Sequence, residues 1–518
     1  MKSIQMGHAA RLIGNSTWNG MAFLVEAGLN LLTLPYIISH LGISEFGLAG
    51  LIIACVAPAL IFSGTLNQVT TRELAQHLTA DSQKEGKRVF ATALFLAVMV
   101  GAIIFVVLLL TGPWLATRLF NLDASDVKHI TQTFTYGGLG WLFRCLAGVF
   151  LALFAAKQDY ARLAMVSISG SLTSALMIWL LVPLWPEAAT YLACLATGYA
   201  VTLLLAFWLS FCSLQRWLSW PMLCSQPLYR LFRVGSWQLA AQFGGMAGGQ
   251  ADRYMLGTFF QTRHVGYYNV AQRLEEAIYI GILKIGEVLF PLFSTMLKEH
   301  EERQADVLFR TSWILNLIAV CVLGGIIPIS GSLLQLWTNG EVASEGERLL
   351  VVLALAGILG CGANVFSFYL LGHGKTRTNA FISLVTATAI TVASGLSLPL
   401  LGWQAAGWST LIGMAVKIIV IAVLMRRSFC LQDISARITH FVLAPLIAGA
   451  SAALIMRQVF VSSISVGMAW WEVAGWYSVN VAVIACTIII VARLGPYGQV
   501  CWRDLHRIGV CLLFLRKN

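Results

Sequence analysis

Charged side chains are scarce in this sequence of 518 residues. Asp, Glu, Lys and Arg together make up 11% of it, whereas 58% of the residues are hydrophobic. A soluble domain has about 25% charged residues, and a soluble fold of this composition would expose far too much apolar surface. The scarcity of charge therefore excludes an ordinary soluble protein and indicates a protein that lies in a membrane.

Motifs for nucleotide hydrolysis and for catalysis are also lacking. The sequence contains no P-loop, no Walker-type lysine and no Ser/His/Asp or HExxH arrangement. Its 11 cysteines are scattered, mostly within apolar runs, and form no CxxC or Cys/His pattern, which argues against disulfides and metal sites. We therefore expect no enzyme activity and no cofactor. Active transport would have to use an ion gradient, the membrane potential or removal of the product.

Long apolar segments recur along the whole sequence, and each is long enough to cross the ~30 Å hydrocarbon core of a bilayer as a helix. The alternating segments of about ten residues that are typical of outer-membrane barrels do not occur. The sequence therefore predicts an all-α integral membrane protein with about 14 transmembrane helices. The predicted spans are residues 14–39, 47–71, 89–112, 131–156, 161–184, 189–212, 232–258, 266–292, 311–337, 349–372, 378–400, 404–425, 437–457 and 467–492.

The net charge is +11, and the basic residues behind it are distributed as the predicted topology requires. If the N-terminus lies inside, 24 of the 34 Lys and Arg residues fall in the cytoplasmic segments or at the span ends beside them, six fall in or beside the outside segments, and four lie deeper within spans. This bias is the one that positive-inside placement requires, and a missed span would erode it. We therefore expect both termini in the cytoplasm.

Two short similarities recur at nearly the same separation. Residues 41–47 (LGISEFG), at the start of the second span, resemble residues 263–268 (RHVGYY), at the start of the eighth. Residues 153–158 and 371–376 end the fourth and tenth spans at a similar offset of about 218 residues. The offset predicts two six-helix lobes related by an axis along the membrane normal, with a substrate cavity between them. Chance similarity between glycine-rich loops is the alternative.

The repeat divides the chain into five predicted parts. Two of them mix basic and apolar residues, so each could lie flat at the cytoplasmic interface or serve merely as a linker or a basic tail. The parts are an N-terminal six-helix lobe (1–212), a cytoplasmic linker (213–231), a C-terminal six-helix lobe (232–427), an extra transmembrane helix pair (428–493) and a cytoplasmic basic tail (494–518).

Polar side chains form stripes on the first and eighth predicted helices. A charge at the bilayer centre costs roughly 2.5–3.5 kcal/mol on insertion scales, so it normally faces protein or a wet cavity. Each stripe keeps to one helical face. Structural ion pairs are the alternative for any single residue, but stripes in different lobes favour a hydrated cavity between the lobes. The predicted cavity residues are Asn19, Glu26, Asn30, Arg144, Gln242, Asp252, Arg253, Asn269, Arg273, Glu276, Lys284 and Lys417.

The seventh predicted helix contains the glycines Gly244, Gly245, Gly248 and Gly249. Such a cluster weakens a helix and permits close helix contact, so we expect this helix to move during gating. The basic residues of the predicted cavity could bind phosphate, to which Arg can donate two hydrogen bonds. The acidic residues could neutralise these bases or carry a coupling proton.

Several motifs carry a family resemblance. They are YIISHLG at residues 36–42 with Phe46-Gly47, DRYMLG at 252–257, VGYYNVAQRL at 265–274 and LFP at 289–291. With these motifs the sequence resembles the Wzx-type polysaccharide flippases, within the MOP superfamily that also contains the lipid II flippase MurJ and the MATE drug exporters. The resemblance covers roughly residues 10–425, and its motifs identify the superfamily better than its branches.

The resemblance implies a V-shaped pair of lobes that work by alternating access. It also implies a cargo of oligosaccharide on a polyprenyl diphosphate, carried across the bacterial inner membrane for O-antigen, capsule or exopolysaccharide assembly. The implied partners are this glycan, membrane lipid and the polymerase and chain-length regulator of the pathway, with no nucleic acid. The last two helices could form a groove for the lipid tail or simply pack, and Glu472 in the last one has no interpretation from the sequence.

Two other functions are compatible with the sequence. One is an ion-coupled exporter of small molecules of the MATE type, and the other is a membrane scaffold that transports nothing. An exporter of organic cations should have a predominantly acidic pocket, whereas Arg144, Arg253, Arg273 and Lys417 make the predicted cavity mixed to basic. A scaffold has little need of charge at mid-membrane depth. The composition of the predicted cavity therefore favours the flippase.

Overall fold

The structure of this chain, a computed structural model, is helical throughout most of its length. It describes residues 2–77, 83–120, 127–214, 219–287, 293, 296, 300–338, 340–429, 433–461, 469–504 and 506. Within these residues the chain forms 14 helices of at least 18 residues. They are α1 (Lys2–Leu41), α2 (Ile43–Gln76), α3 (Gln83–Trp114), α4 (Val127–Ala156), α5 (Tyr160–Leu181), α6 (Ala188–Leu214), α7 (Ser225–Phe259), α8 (Thr262–Glu287), α9 (Glu301–Ile326), α10 (Gly340–Gly372), α11 (Thr376–Leu401), α12 (Ala405–Ser428), α13 (Ala444–Val461) and α14 (Trp470–Leu494).

Shorter helical segments extend some of these helices. A π-helical turn at Leu115–Leu119 continues α3, and the helix Ser330–Trp337 follows α9. Another π-helical turn, Thr439–Leu443, joins the short helix Ile434–Ile438 to α13. Gly42 (φ 79°) links α1 to α2 as a single residue. This φ lies in the left-handed region that glycine adopts without strain.

Twelve segments of the described chain are long and apolar enough to cross a membrane. They comprise α1–α6 and α9–α14 with their extensions. The helices α7 and α8 are 35 and 26 residues long but carry more polar side chains along their length. The predicted all-α membrane fold is therefore confirmed, whereas the count of 14 spans stays a prediction.

The chain divides into two compact units, Met1–Asn269 and Val270–Asn518, which we call the first and the second unit. The division falls inside α8, so the first unit contains α1–α7 and the first two turns of α8. In the first unit α7 packs along α2, which places it with the preceding six helices. The five-part organisation expected from the sequence repeat stays a prediction.

In the first unit, α5 and α6 approach each other through two glycines. A Cβ on Gly170 would lie 1.9 Å from Thr202 Oγ1, and a Cβ on Gly198 would lie 1.8 Å from Ser174 Oγ. Small residues at such positions allow helices to pack closely in a membrane. This contact fixes the polar faces of α5 and α6 side by side.

A continuous apolar core fills the second unit. Phe309 and Trp313 of α9, Phe366 of α10 and Phe441 of the π-helical turn are among its fully buried aromatic side chains. Dense packing of this kind requires that polar side chains at its edges find partners. At one edge, a hydrogen bond from the Tyr497 hydroxyl and pairing with Arg437 hold the pKa of the Asp433 carboxyl below its ordinary value.

Candidate functional site

A polar cavity of about 390 Å³ lies within the first unit, enclosed by α1, α2, α4, α5 and α6. This volume falls in the 300–1,000 Å³ range of ligand pockets. Three of the predicted site residues, Glu26, Asn30 and Arg144, line it. The complete polar lining is Glu26, Asn30, Thr33, Asn67, Arg144, Ser167, Ser171, Ser174, Tyr191, Tyr199 and Thr202.

The α1 wall of the cavity carries Glu26, Asn30 and Thr33 at helical spacing. Asn30 Nδ2 donates to the Glu26 carbonyl oxygen (2.9 Å), and Thr33 Oγ1 donates to that of Leu29 (2.8 Å). These bonds hold both side chains against their own helix. The Glu26 carboxylate remains the acidic group of this wall, and it attracts Arg144 on the α4 wall electrostatically.

Arg144 is positioned by a tyrosine of α6. Its Nη1 donates to Tyr199 Oη (3.3 Å), and its guanidinium carbon lies 5.4 Å from the centre of the Tyr199 ring. A cation over an aromatic face at this distance is attracted to the ring. Because a guanidinium has five N–H donors, Arg144 keeps donors with which it can bind a ligand in the cavity.

Hydroxyl groups of α5 and α6 form another part of the cavity lining. Ser167, Ser171 and Ser174 of α5 follow one another at spacings of four and three residues, so they share one helical face. Thr202 of α6 lies beside them, and its Oγ1 donates to the Gly198 carbonyl oxygen (2.9 Å). These hydroxyl residues were not among the predicted site residues, which were chosen mainly for their charge. The signal was the 3–4 spacing of serines within an otherwise apolar helix.

Asn67 of α2 contributes a buried amide to the cavity lining. A Cβ on Gly148 would lie 2.0 Å from Asn67 Nδ2, so the glycine makes room for this side chain. Asn67 Oδ1 is buried and has no hydrogen-bond partner among the described residues. An unsatisfied buried acceptor costs about 1–3 kcal/mol. This acceptor is therefore suited to a hydroxyl or amide donor brought by a ligand.

Four further predicted site residues lie on α7 and α8 within the first unit, away from the cavity lining. Asp252 and Arg253 are buried. Tyr268 Oη donates to Asp252 Oδ2 (3.1 Å), and Arg253 Nη1 donates to Gln250 Oε1 (2.7 Å). The other two, Asn269 and Gln242, both contact α2. Asn269 is buried against Gly50, and Gln242 Nε2 donates to Gln68 Oε1 (3.2 Å).

The second unit holds Lys417 in a chain of neutral polar groups. Lys417 Nζ donates to Asn364 Oδ1 (3.0 Å), and Asn364 Nδ2 donates to Tyr279 Oη (2.6 Å). Glu275 occupies a niche beside Gly357, on which a Cβ would lie 2.2 Å from the carboxylate. Glu275 was not among the predicted site residues, because it lies off the polar stripe of α8.

The other predicted site residues lie on α8 in the second unit and on α1. Arg273 is half-buried, and Glu276 and Lys284 are exposed, all on α8 in the second unit. The side chain of Asn19 lies outside the described part of the structure. The meeting of charged residues from both halves in one chamber stays a prediction.

The chain is similar in sequence to proteins of cell-surface polysaccharide synthesis. A family model described as "Polysaccharide biosynthesis protein" matches residues 12–297. The chain is 23% identical, over 385 residues, to a candidate O-antigen transporter of Shigella flexneri. The alignment covers 72% of this chain and 87% of that protein.

Two solved structures have a similar fold. The lipid II flippase MurJ in an inward closed conformation superposes with a TM-score of 0.68 at 10% identity, over 95% of this chain and 99% of that one. An inward-facing multidrug resistance MATE family transporter of the MOP superfamily gives a TM-score of 0.66 at 15% identity, over 80% of this chain and 94% of that one. The predicted MATE/MurJ-like fold is thereby confirmed.

Proposed function

The chain belongs to the polysaccharide biosynthesis protein family, and from this premise we propose that it is a flippase for lipid-linked glycan. It carries polyprenyl-diphosphate-linked oligosaccharide from the cytoplasmic to the outer leaflet by alternating access. It works in the bacterial inner membrane with both termini in the cytoplasm. The polymerase and chain-length regulator of the same pathway act beside it.

The observation that carries this proposal is the chemistry of the cavity in the first unit. Its hydroxyl and amide groups suit the hydroxyls of a sugar, and the Glu26 carboxylate can accept hydrogen bonds from them. Arg144 can donate to phosphate oxygens. A volume of about 390 Å³ is small for a whole oligosaccharide on a lipid. We therefore assign to the cavity the part of the headgroup nearest the diphosphate.

A second candidate function is ion-coupled export of small molecules. The observation that favours it is Glu26, an acidic side chain that lines the cavity beside neutral polar groups. Such a wall suits a cation as well as a sugar. The two functions differ in what Arg144 does, because a cationic cargo is repelled by Arg144, whereas a diphosphate requires it.

The test replaces Arg144 with Gln in cells that depend on this chain for a surface polysaccharide. We expect the amount of surface polymer to fall at least tenfold while the amount of protein in the membrane stays the same. Arg162→Gln is the matched control, because Arg162 pairs with Asp159 (3.3 Å) and does not line the cavity. It should leave the polymer unchanged.

The same cells distinguish the two functions. Unchanged polymer in both Arg144→Gln and Glu26→Gln would exclude a role of the cavity in carrying glycan. If the Arg144→Gln cells also became more resistant to cationic dyes, the exporter function would be favoured. Wild-type dye sensitivity combined with loss of polymer supports the flippase.

A further inference from the structure

A groove of about 560 Å³ lies in the second unit, between the π-helical turn Thr439–Leu443 with the short helix before it and the end of α14. All of its lining residues belong to the second unit, so it is separate from the polar cavity of the first unit. More than half of the lining residues are exposed, and the groove therefore opens at the protein surface. π-Helical turns within α-helices are frequent at functional sites.

The lining of this groove changes from polar to apolar along the chain. Ser435 and Thr439 are one helical turn apart and both exposed. Thr439 Oγ1 donates to the Ser435 carbonyl oxygen (2.9 Å), whereas the exposed Ser435 hydroxyl can donate to a ligand. Ala444 and Val491 contribute apolar surface. The lining therefore suits a molecule that combines a polar headgroup with a hydrocarbon chain.

On the predicted topology the groove lies at the cytoplasmic boundary of the membrane. One predicted span, 437–457, begins beside Thr439, and another, 467–492, ends just before Leu494. Leu494 lines the groove and is 83% exposed, which suits a side chain that contacts lipid. The polar end of the groove is thus level with the lipid headgroups, and the apolar end is level with the start of the acyl chains.

The chain that follows α14 is anchored beside the groove. Residues 498–504 form a short helix, which we call the tail helix. Asp504 accepts two hydrogen bonds from the Arg310 guanidinium. Cys501 Sγ lies 3.6 Å from Nε2 of His440, a buried side chain that lines the groove. These contacts fix the inner face of the tail helix to the second unit.

The outer face of the tail helix is aromatic and basic. Trp502 and Arg503 are exposed. Arg493, in the last turn of α14, places its guanidinium carbon 5.3 Å from the centre of the Trp502 ring. Trp is enriched at membrane interfaces, and basic residues attract the anionic lipids of the cytoplasmic leaflet. Because Arg can donate two hydrogen bonds to a phosphate, the charge of this face favours an anionic lipid.

We propose that the groove is a binding site for one anionic phospholipid of the cytoplasmic leaflet. Arg493 and the Ser435 hydroxyl hold its phosphodiester group, with Arg503 beside them, and one acyl chain lies along Ala444 and Val491. The bound lipid links the start of α13 to the end of α14 and thereby stabilises the second unit. This lipid stays in the membrane and is not the carried glycan, so the site does not depend on the proposed flippase function.

The test is a titration of the purified protein in detergent with phosphatidylglycerol, followed by the unfolding temperature. A ligand that binds only the folded state raises this temperature. We expect phosphatidylglycerol to raise it in a saturable manner. Phosphatidylcholine with the same acyl chains should not, because its headgroup has no net charge. Inorganic phosphate at the same concentration should not, because it brings no acyl chain.

Two variants remove the two parts of the site. Arg493→Gln with Arg503→Gln removes the basic groups, so the apparent affinity for phosphatidylglycerol should fall about tenfold. Ala436→Trp fills the groove with an indole ring at an unchanged net charge, so the saturable rise should disappear. Arg72→Gln is the matched control, because Arg72 is an exposed arginine at the end of α2 and does not line the groove. It should respond to the lipid as the wild type does.

The outcomes decide both the place and the ligand. If Ala436→Trp responds to phosphatidylglycerol as the wild type does, the lipid binds elsewhere and the groove is not its site. If the double arginine variant keeps wild-type affinity, the phosphodiester is not held at Arg493 and the proposal fails. If phosphatidylcholine or inorganic phosphate is as effective as phosphatidylglycerol, the site does not select an anionic lipid. Surface polymer is not measured, so failure of the flippase function would leave this test unaffected.

Discussion

The cavity of the first unit and the helix ends of the second unit hold their polar side chains in different ways. The first unit turns Glu26 and Asn67 toward a cavity. In the second unit, charged side chains near the ends of helices are matched with carboxylates. Arg310 pairs with Asp504, and Arg457 pairs with Glu347 (2.8 Å). A charge paired with an opposite charge has its main partner within the protein, whereas a polar group that faces a cavity needs water or a ligand. Under the proposed function, the paired charges hold the fold and the charges at the cavity act on the cargo.

Removal of Arg310 tests the structural side of this comparison and should have the largest effect. Asp504 is 6% exposed and receives two hydrogen bonds from the Arg310 guanidinium. Arg310→Met leaves this carboxylate buried without its partner, which should destabilise the protein by about 3–5 kcal/mol. The measurement is the unfolding temperature of the purified protein in detergent, which should fall.

The double variant Arg310→Met with Asp504→Leu is the control. Replacement of a whole buried pair by apolar side chains is often close to neutral, so the double variant should recover most of the lost stability. If Arg310→Met unfolds at the wild-type temperature, the pair does not hold the tail to α9, and the contrast between the units fails.

Replacement of Lys417 tests the comparison within the second unit, because the hydrogen-bond partner of Lys417 is an amide and not a carboxylate. By the logic of the comparison, a charge matched with a neutral group is available to an anionic cargo. Lys417→Met should therefore lower surface polymer about tenfold, which corresponds to about 1.4 kcal/mol. The unfolding temperature should not fall, because the change removes a charge from the membrane interior. Lys375→Met, at an exposed position, is the matched control.

A fall in unfolding temperature without loss of polymer would reverse this assignment. Lys417 would then belong with Arg310 among the residues that hold the fold. Its chain of hydrogen bonds through Asn364 to Tyr279 would be a structural link between helices.

The sequence predicted the helices of this fold well because hydropathy is a property of each segment alone. Each of the fourteen predicted spans overlaps a helix or its extension in the described chain. Of the twelve residues predicted for a cavity between the lobes, Glu26, Asn30 and Arg144 line one cavity in the first unit, and their role in a site stays a prediction. The family resemblance read from motifs such as YIISHLG agrees with the match over residues 12–297.

The remaining features depend on which helical faces meet, and that is set by packing between distant segments. The serines of α5 are unremarkable in sequence because Ser often bonds its own helix, as Ser169 does to the Met165 carbonyl oxygen. The other serines become a cavity wall because α1, α2, α4 and α6 meet α5 around them. In the same way, helical spacing places Asn269 on the polar stripe of α8, whereas in the structure its side chain packs against Gly50 of α2.

The serine wall gives a prediction of intermediate size. Ser171→Ala with Ser174→Ala removes two hydroxyls from the cavity lining. Each hydrogen bond to a ligand contributes about 0.5–1.5 kcal/mol, so the loss of one such bond from this pair of positions should lower surface polymer roughly three- to tenfold without a change in unfolding temperature. Ser169→Ala, on the same helix but away from the cavity, should keep wild-type export. Equal export in the double variant and this control would mean that the wall does not touch the cargo.

Replacement of Glu472 is expected to have the smallest effect. It compares an acid that stabilises its own helix with Glu26, which lines the cavity. The sequence left this exposed acid near the start of α14 unexplained, and the structure shows its carboxylate accepting a hydrogen bond from the Ala469 N–H (2.9 Å). It caps the helix, and its negative charge interacts favourably with the positive, N-terminal end of the helix dipole. Glu472→Ala should lower stability by about 0.5–1 kcal/mol and leave surface polymer unchanged. Glu26→Gln should do the opposite, with export lost and the unfolding temperature kept. Loss of polymer in Glu472→Ala at normal protein level would show that this acid acts on the cargo, although the structure pairs it with its own helix.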